Sequence, residues 1–437
     1  MLNFSSPKSV ARTALVAQLI LLELLGVNVL AAELSAFDKG FQAGQEALKQ
    51  GSASKAELAF KETLKLEEKD GATPARRAQV LLQLADLYRA QKKYAEAEPL
   101  YNQVLQTFEA KPGDELVVAL NKLAGLYKMQ LKGKESLQTY QRSLSIVEKK
   151  KGADSTDAAT IHANIGLLYQ QMGRLREAEQ EEELAIKLFQ KNLGADSLEA
   201  AQCMSDLGLQ MIAEGKYKKA ISVLENALSI CQKRLGADSI KVATAADQLG
   251  TAYAKSGRFK DAEELAKKAL EIYKKKLGAE NLEVAITLSN LGYRLLSQNK
   301  FKEALEAFQQ SLAIQEKKLG PQSLDSLANL NGIASVYVKQ IDYKSAEAYL
   351  RKALAVKEKR FGAKSVATVS ALKNLSSCLS LGGSHGSEID ELASRAQNIL
   401  VTIPPAKRKS MDNFISHEII EGLDLGARRE RKKDEVW

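Results

Sequence analysis

One spacing governs this chain. A hydrophobic position recurs every 42 residues, as Leu123, Ile165, Leu207, Leu249, Leu291, Ile333 and Leu375, with no insertion or deletion between them. The next residue is always small: Ala124, Gly166, Gly208, Gly250, Gly292, Ala334, Ser376. Three positions further comes a large one: Tyr127, Tyr169, Met211, Tyr253, Leu295, Tyr337, Leu379. A constant period of this length marks stacked supersecondary units, each resting on its neighbours, in place of one globular core. It favours a binding surface over a reaction centre. The chain has 7 prolines in 437 residues and is rich in Ala, Leu, Lys and Glu, all good helix formers. No run of alternating β-branched residues reads as a strand.

Residues 240–281 show the unit most clearly. Ser239 is placed to accept from free amides of a first helical turn, and the column Ser155, Ser197, Ser239, Asn281, Ser323, Ser365 holds only capping residues. A first helix follows, with Ala246, Leu249, Gly250 and Tyr253 on one face. Gly257 ends it, in a column of Gly173, Gly215, Gly257 and Asn299 that suits a left-handed turn. The second helix opens at Phe259, Ala262 and Leu265 and ends at Leu277-Gly278, in an unbroken glycine column from Gly152 to Gly362. Both helices should run about 16 to 19 residues by this spacing. Gly250 is expected to face Ala262 and Ala269 across a close helix crossing, and Tyr253 to reach the neighbouring unit. The same motif, in looser register, includes Leu84-Ala85-Asp86-Leu87-Tyr88 and an earlier unit from Ala43 to Leu64, giving nine helix pairs with irregular outer ones.

The pattern Leu-Gly-x-x-Tyr, then Ala, then Ala-Leu, at residues 249–253, 262 and 269–270, resembles the tetratricopeptide repeat. The 42-residue period, with Leu-Gly-Ala-Asp/Glu-Ser/Asn between units, is similar to the kinesin-light-chain type of that repeat. The resemblance covers about residues 36–400. It implies an all-α, right-handed superhelical solenoid of about nine stacked antiparallel helix pairs that binds peptides or proteins in a concave groove. The chain departs from the family at the tryptophan column, which reads Leu120, His162, Met204, Ala246, Leu288, Leu330 and Leu372. It also lacks the Lys and Asn combination with which the chaperone-binding members clamp a terminal carboxylate.

The domain organisation read from the sequence is a leader at 1–32, two irregular helix pairs at 36–114, seven 42-residue repeats at 115–400, and a tail at 401–437 with one short helix. In the leader, Lys8 and Arg12 precede an apolar stretch from Ala14 to Ala32 that ends in small residues, which reads as a secretory signal peptide. Glu23 disfavours a permanent membrane anchor, the other reading. Export to a periplasm, envelope or exterior is therefore expected, with a cytoplasmic location as the alternative. The tail reads as a cap on the last repeat, or as a segment lying in the protein's own groove.

Little here points to chemistry. Cys203, Cys231 and Cys378 have neither disulfide-framework nor zinc spacing. His162 falls in an apolar column, and His385 and His417 lie in a glycine-rich loop and the tail. No phosphate-cradling loop or nucleophile elbow occurs, so no catalytic residue, metal or cofactor is expected. The net charge of +9 is distributed as cations at the ends of second helices, such as Lys274-Lys275-Lys276, and acids at their starts. That arrangement complements helix dipoles and weakens a nucleic-acid reading.

The resemblance places the first helices on the concave surface, and the residue before each reference position should point there. That column reads Asn164, Asp206, Gln248, Asn290 and Asn374, with Lys122 and Gly332 as exceptions. Short amides both donate to and accept from an extended backbone. The expectation is a non-catalytic scaffold that holds a protein or peptide partner. A cytoplasmic signalling adaptor, or a basic solenoid binding a polyanion, are the alternatives.

Overall fold

The computed structural model describes residues 35–66, 70–383 and 386–402, together with Pro404 and Ile420. The leader lies outside these residues. So do His385, His417 and the tail, apart from Val401, Thr402, Pro404 and Ile420. Among the described residues there is no strand, and no helix is long and apolar enough to cross a membrane.

The chain divides after Arg174 into two compact units. The first contains α1 (Ala36–Lys49), α2 (Ala53–Thr63), α3 (Pro74–Ala90), α4 (Tyr94–Phe108), α5 (Asp114–Met129), α6 (Gly133–Lys151) and α7 (Thr156–Gln171). The second contains α8 (Leu175–Leu193), α9 (Leu198–Ala213), α10 (Tyr217–Leu235), α11 (Ile240–Lys255), α12 (Phe259–Leu277), α13 (Leu282–Ser297), α14 (Phe301–Leu319), α15 (Ser326–Lys339), α16 (Tyr343–Phe361), α17 (Val369–Leu381) and α18 (Ser387–Val401). The short turns inside each pair force its helices antiparallel. Within each unit every helix rests chiefly on those before and after it in sequence, as a solenoid of pairs requires.

Local chemistry sets the helix ends where the spacing placed them. Ser155, Ser197 and Ser239 accept from the amides of Ala158, Ala200 and Val242 at 3.2, 3.0 and 3.2 Å. Asn281 accepts from Glu283 at 2.9 Å. Ser323 differs: it accepts from Asp325, ahead of the helix, so α15 starts late and is 14 residues long. The turn inside each pair needs one left-handed residue, at φ +85° for Gly257 and +59° for Asn299. The same position holds Leu131 at +61° and the β-branched Ile341 at +65°, both strained and both exposed.

The junctions between pairs are built by a repeated clasp. Tyr253 donates from its hydroxyl to Glu225 of the preceding pair at 2.6 Å, as Tyr88 does to Glu57 at 2.9 Å. The Arg258 guanidinium stacks 4.0 Å from the Tyr253 ring centre. A second set of contacts accounts for the linker acid. Lys317 reaches Glu280 at 2.5 Å, and Lys275 and Lys233 pair in the same way with Asp238 and Asp196. These pairs are exposed and contribute at most a fraction of a kcal/mol each. These cations at the second-helix ends thus have acidic partners in the linker that opens their own pair, in addition to the helix dipole.

The small column plays a different part from the one the spacing suggested. A Cβ on Gly208 would sit 2.5 Å from Leu224, and one on Gly292 would sit 2.7 Å from Phe308. Each glycine therefore accommodates the large residue midway between the two alanines of the second helix, not the alanines themselves. That midway column reads Tyr140, Glu182, Leu224, Ala266, Phe308 and Leu350. In the 240–281 unit it falls to Ala266, and Gly250 meets the guanidinium of Arg294 instead, at 3.1 Å from its hypothetical Cβ. The reason is volume. Where the midway side chain is missing, an arginine from the next first helix fills the space.

Candidate functional site

The first helices carry the candidate column, and the structure separates its members. Asn164, in the first unit, is half-buried, as are Asp206, Gln248 and Asn290 in the second. Gln202 donates to Asp206 at 3.2 Å. Asn374 is buried, with 2% of its surface exposed, and its Oδ1 accepts from the main-chain amide of Ile420 at 3.1 Å. Of the exceptions, Lys122 bonds Asp86 at 2.5 Å.

Asn290 opens onto a cavity of about 420 Å³ between α11 and α13. Thr251, Ala254 and Lys255 come from α11, Phe259 from the start of α12, and Tyr293, Arg294 and Ser297 from α13. The helical period puts Asn290, Tyr293 and Ser297 on one stripe, so adjacent first helices form the two walls. A second cavity of about 310 Å³ lies between α10 and α12, against Leu228, Ile272 and the Lys275–Asp238 pair. Its lining belongs largely to packing between second helices. The first cavity joins a desolvated cation, an open aromatic ring and a column amide.

Arg294 organises this site. It is 4% exposed and donates to the Asp247 carboxylate at 2.9 Å, the Asp247 carbonyl at 3.1 Å, the Ala262 carbonyl at 3.2 Å and Thr251 Oγ1 at 3.3 Å. The other Asp247 oxygen accepts from Asn290 Nδ2 at 2.9 Å. A carboxylate only accepts, so this bond fixes which end of the amide faces Asp247. The Asn290 carbonyl oxygen is then left for another donor. Tyr293 keeps 39% of its surface open while its hydroxyl donates to the Ala328 carbonyl at 2.7 Å, and burial of that polar end pushes its phenol up to about 12. The ring meets Phe308 edge-on, with centres 4.9 Å apart, which holds it against the wall.

The sequence reading missed Arg294. It stands in a column otherwise filled by Leu126, Leu168, Gln210, Ala252, Val336 and Cys378, every one buried. An arginine in such a column, opposite the lone alanine at 266, was the available sign. The reading also missed Glu182, buried on α8. Burial first, then the charges of Asp206 and Glu179, pushes its carboxyl up to about 8. Cys203, Cys231 and Cys378 are buried free thiols, and His162 is half-buried. No His, Cys, Asp and Glu cluster that could hold a metal occurs among the described residues.

Comparison with known sequences decides the family. Residues 115–191, 199–275 and 261–317, together with 41–115 and 327–367, match the tetratricopeptide repeat. The chain is a tetratricopeptide-repeat protein. No curated protein matches it in sequence. Among solved structures, this tetratricopeptide-repeat chain is similar to the apo form of RapI, at 15% identity over 86% of this chain and 98% of that one, with a TM-score of 0.57. It is similar to the apo form of the quorum sensor NprR from B. thuringiensis, at 13% identity over 83% and 97%, with a TM-score of 0.54. A Podosopora anserina putative kinesin light chain with nearly identical TPR-like repeats matches at 21% identity over 46% and 96%, with a TM-score of 0.43. At these identities the likeness to RapI and NprR speaks for the fold alone.

Proposed function

We propose that this protein holds an extended peptide segment of a partner protein along its first helices and performs no chemistry on it. The cavity between α11 and α13 carries the reading. It offers an aromatic wall at Tyr293, an exposed cation at Lys255, and an Asn290 amide oriented by Asp247. An amide of this kind reads main chain and not side chain, so it tolerates sequence variation. The wall and the cation then select an apolar residue with a carboxylate close by. Glu or Lys would be the ordinary choice for a solvated helix face. Asn is a poor helix former, and its recurrence at 290 and 374 within the second unit suits main-chain contacts.

The test is a displayed peptide library panned against the folded protein, followed by calorimetry on the selected peptides. Lys255→Glu and Tyr293→Ala should each weaken binding by about tenfold, the loss of one charge-assisted or aromatic contact. Unchanged affinity in both variants would remove the cavity from consideration. A polyanion is the second reading, favoured only by the charge of +9. Phosphate-driven binding weakens steeply with salt, whereas docking through amides and a ring weakens little. We further propose that the protein works outside the cytoplasm, on the composition of residues 1–32. The intact mass of native protein tests this: loss of residues 1–31 or 1–32 supports export, and their retention supports the adaptor alternative.

A further inference from the structure

The strongest unabsorbed observation is the contact between Asn374 and Ile420. Asn374 belongs to the same column as Asn290, on the last of the first helices, α17. Ile420 lies 46 residues later and is not helical. Its main-chain N–H is therefore free of a helical partner, and Asn374 Oδ1 takes it at 3.1 Å in a buried position. The Ile420 side chain, 6% exposed, joins the apolar cluster that includes Ala334, Ala371 and Leu375. Asp206, Gln248 and Asn290 hold the same column position in this unit and are only half-buried, whereas Asn374 is 2% exposed. At α17 the column position is covered by Ile420 of the protein's own chain.

We infer that α17 carries a peptide subsite, one main-chain acceptor beside an aliphatic pocket, and that Ile420 is its resident occupant. The inference deepens the proposed function, because it assigns to this column the same main-chain recognition. A partner segment bringing an aliphatic residue to α17 must displace Ile420. An occupant tethered in the same chain acts at an effective concentration of about a millimolar, so weak ligands are excluded and strong ones are admitted.

The test uses the full chain and a fluorescein-labelled synthetic peptide spanning residues 413–427. Ile420→Asp should empty the subsite, and the labelled peptide should bind that variant about tenfold more tightly than the unmodified chain. Adding Asn374→Ala to Ile420→Asp should remove the gain. Equal affinity for the unmodified chain and Ile420→Asp overturns the inference. Should Ile420→Asp lose helicity, amide exchange in the unmodified chain decides. The Ile420 amide should exchange about tenfold faster in Asn374→Ala than in the unmodified chain, and equal exchange overturns the inference. Neither substitution touches Lys255 or Tyr293, so the cavity between α11 and α13 stands or falls by its own experiment.

Discussion

Replacing Arg294 by methionine tests the claim that this side chain stands in for the volume missing at Ala266. Four acceptors each lose one donor: the Asp247 carboxylate and carbonyl, the Ala262 carbonyl and Thr251 Oγ1. Breaking a buried ion pair by removing one partner costs about 3–5 kcal/mol. The Asp247 side chain is 19% exposed, and solvent reaching it reduces that cost. Methionine follows the stem of the arginine, so little cavity opens. The net loss should be about 3 kcal/mol, most of it from the broken ion pair with Asp247. At roughly 2–4 °C per kcal/mol for a unit of this size, thermal melting followed by circular dichroism should drop by roughly 6–12 °C. Ala266→Phe alone should cost about 1–3 kcal/mol, because the ring and the guanidinium compete for one space. The two together should recreate the arrangement of Gly292 and Phe308 and recover about 2 kcal/mol of the summed loss. If the two losses instead add within about 0.5 kcal/mol, the volume exchange is wrong.

Other consequences can be checked in the same way. Ile341→Asn should raise the melting temperature, by about 1 kcal/mol of stability, since asparagine accepts the left-handed backbone that a β-branched residue resists; an unchanged or lower melting point would contradict the strain. Glu182 has its folded pKa raised from 4.5 to about 8, so its contribution is fully present below pH 4.5 and fades as pH rises towards 8. Glu182→Gln should therefore raise the melting temperature at pH 8.5 and flatten its fall between pH 5 and 8.5. Glu263 behaves oppositely: burial opposes its ionisation, but bonds from Lys267, Lys300 and Gln298 outweigh it and hold the carboxyl down to about 2. Its contribution is present above pH 4.5 and lost as pH falls towards 2, and Glu263→Gln should remove that part of the acid sensitivity in an acid titration. Replacing Asn290 with alanine should weaken calorimetric binding of a selected peptide by about tenfold while helicity is retained.

The sequence shows the pairs because their determinants are local. A serine cap, a left-handed turn residue and a terminal glycine each act within a few residues, so one aligned column suffices to see them. The clasp at Tyr253 was legible as a reach towards a neighbour, since a large residue recurs in that column. The partner of Gly250 was not legible, because it depends on a residue in the next unit that breaks its own column. Arg294 makes sense only beside Ala266, 28 positions earlier, and neither position looks unusual until volumes on adjacent helices are compared. The candidate column was found as a pattern of short amides. Which of them faces open space, and which is covered by Ile420, depends on chain segments remote in sequence. The caps and glycines report only where helices begin and end.

The exchange of volume between Ala266 and Arg294 limits how such a chain can grow. Were residues 240–281 duplicated in tandem, the following first helix would present Ala252 where Arg294 now stands, facing Ala266. Two methyl groups would meet across a void, at a cost that scales with its size. The units are thus not interchangeable bricks. Recombination that respects the 42-residue length must still carry residues 266 and 294 as a linked pair, and any consensus averaged over the repeats would separate them.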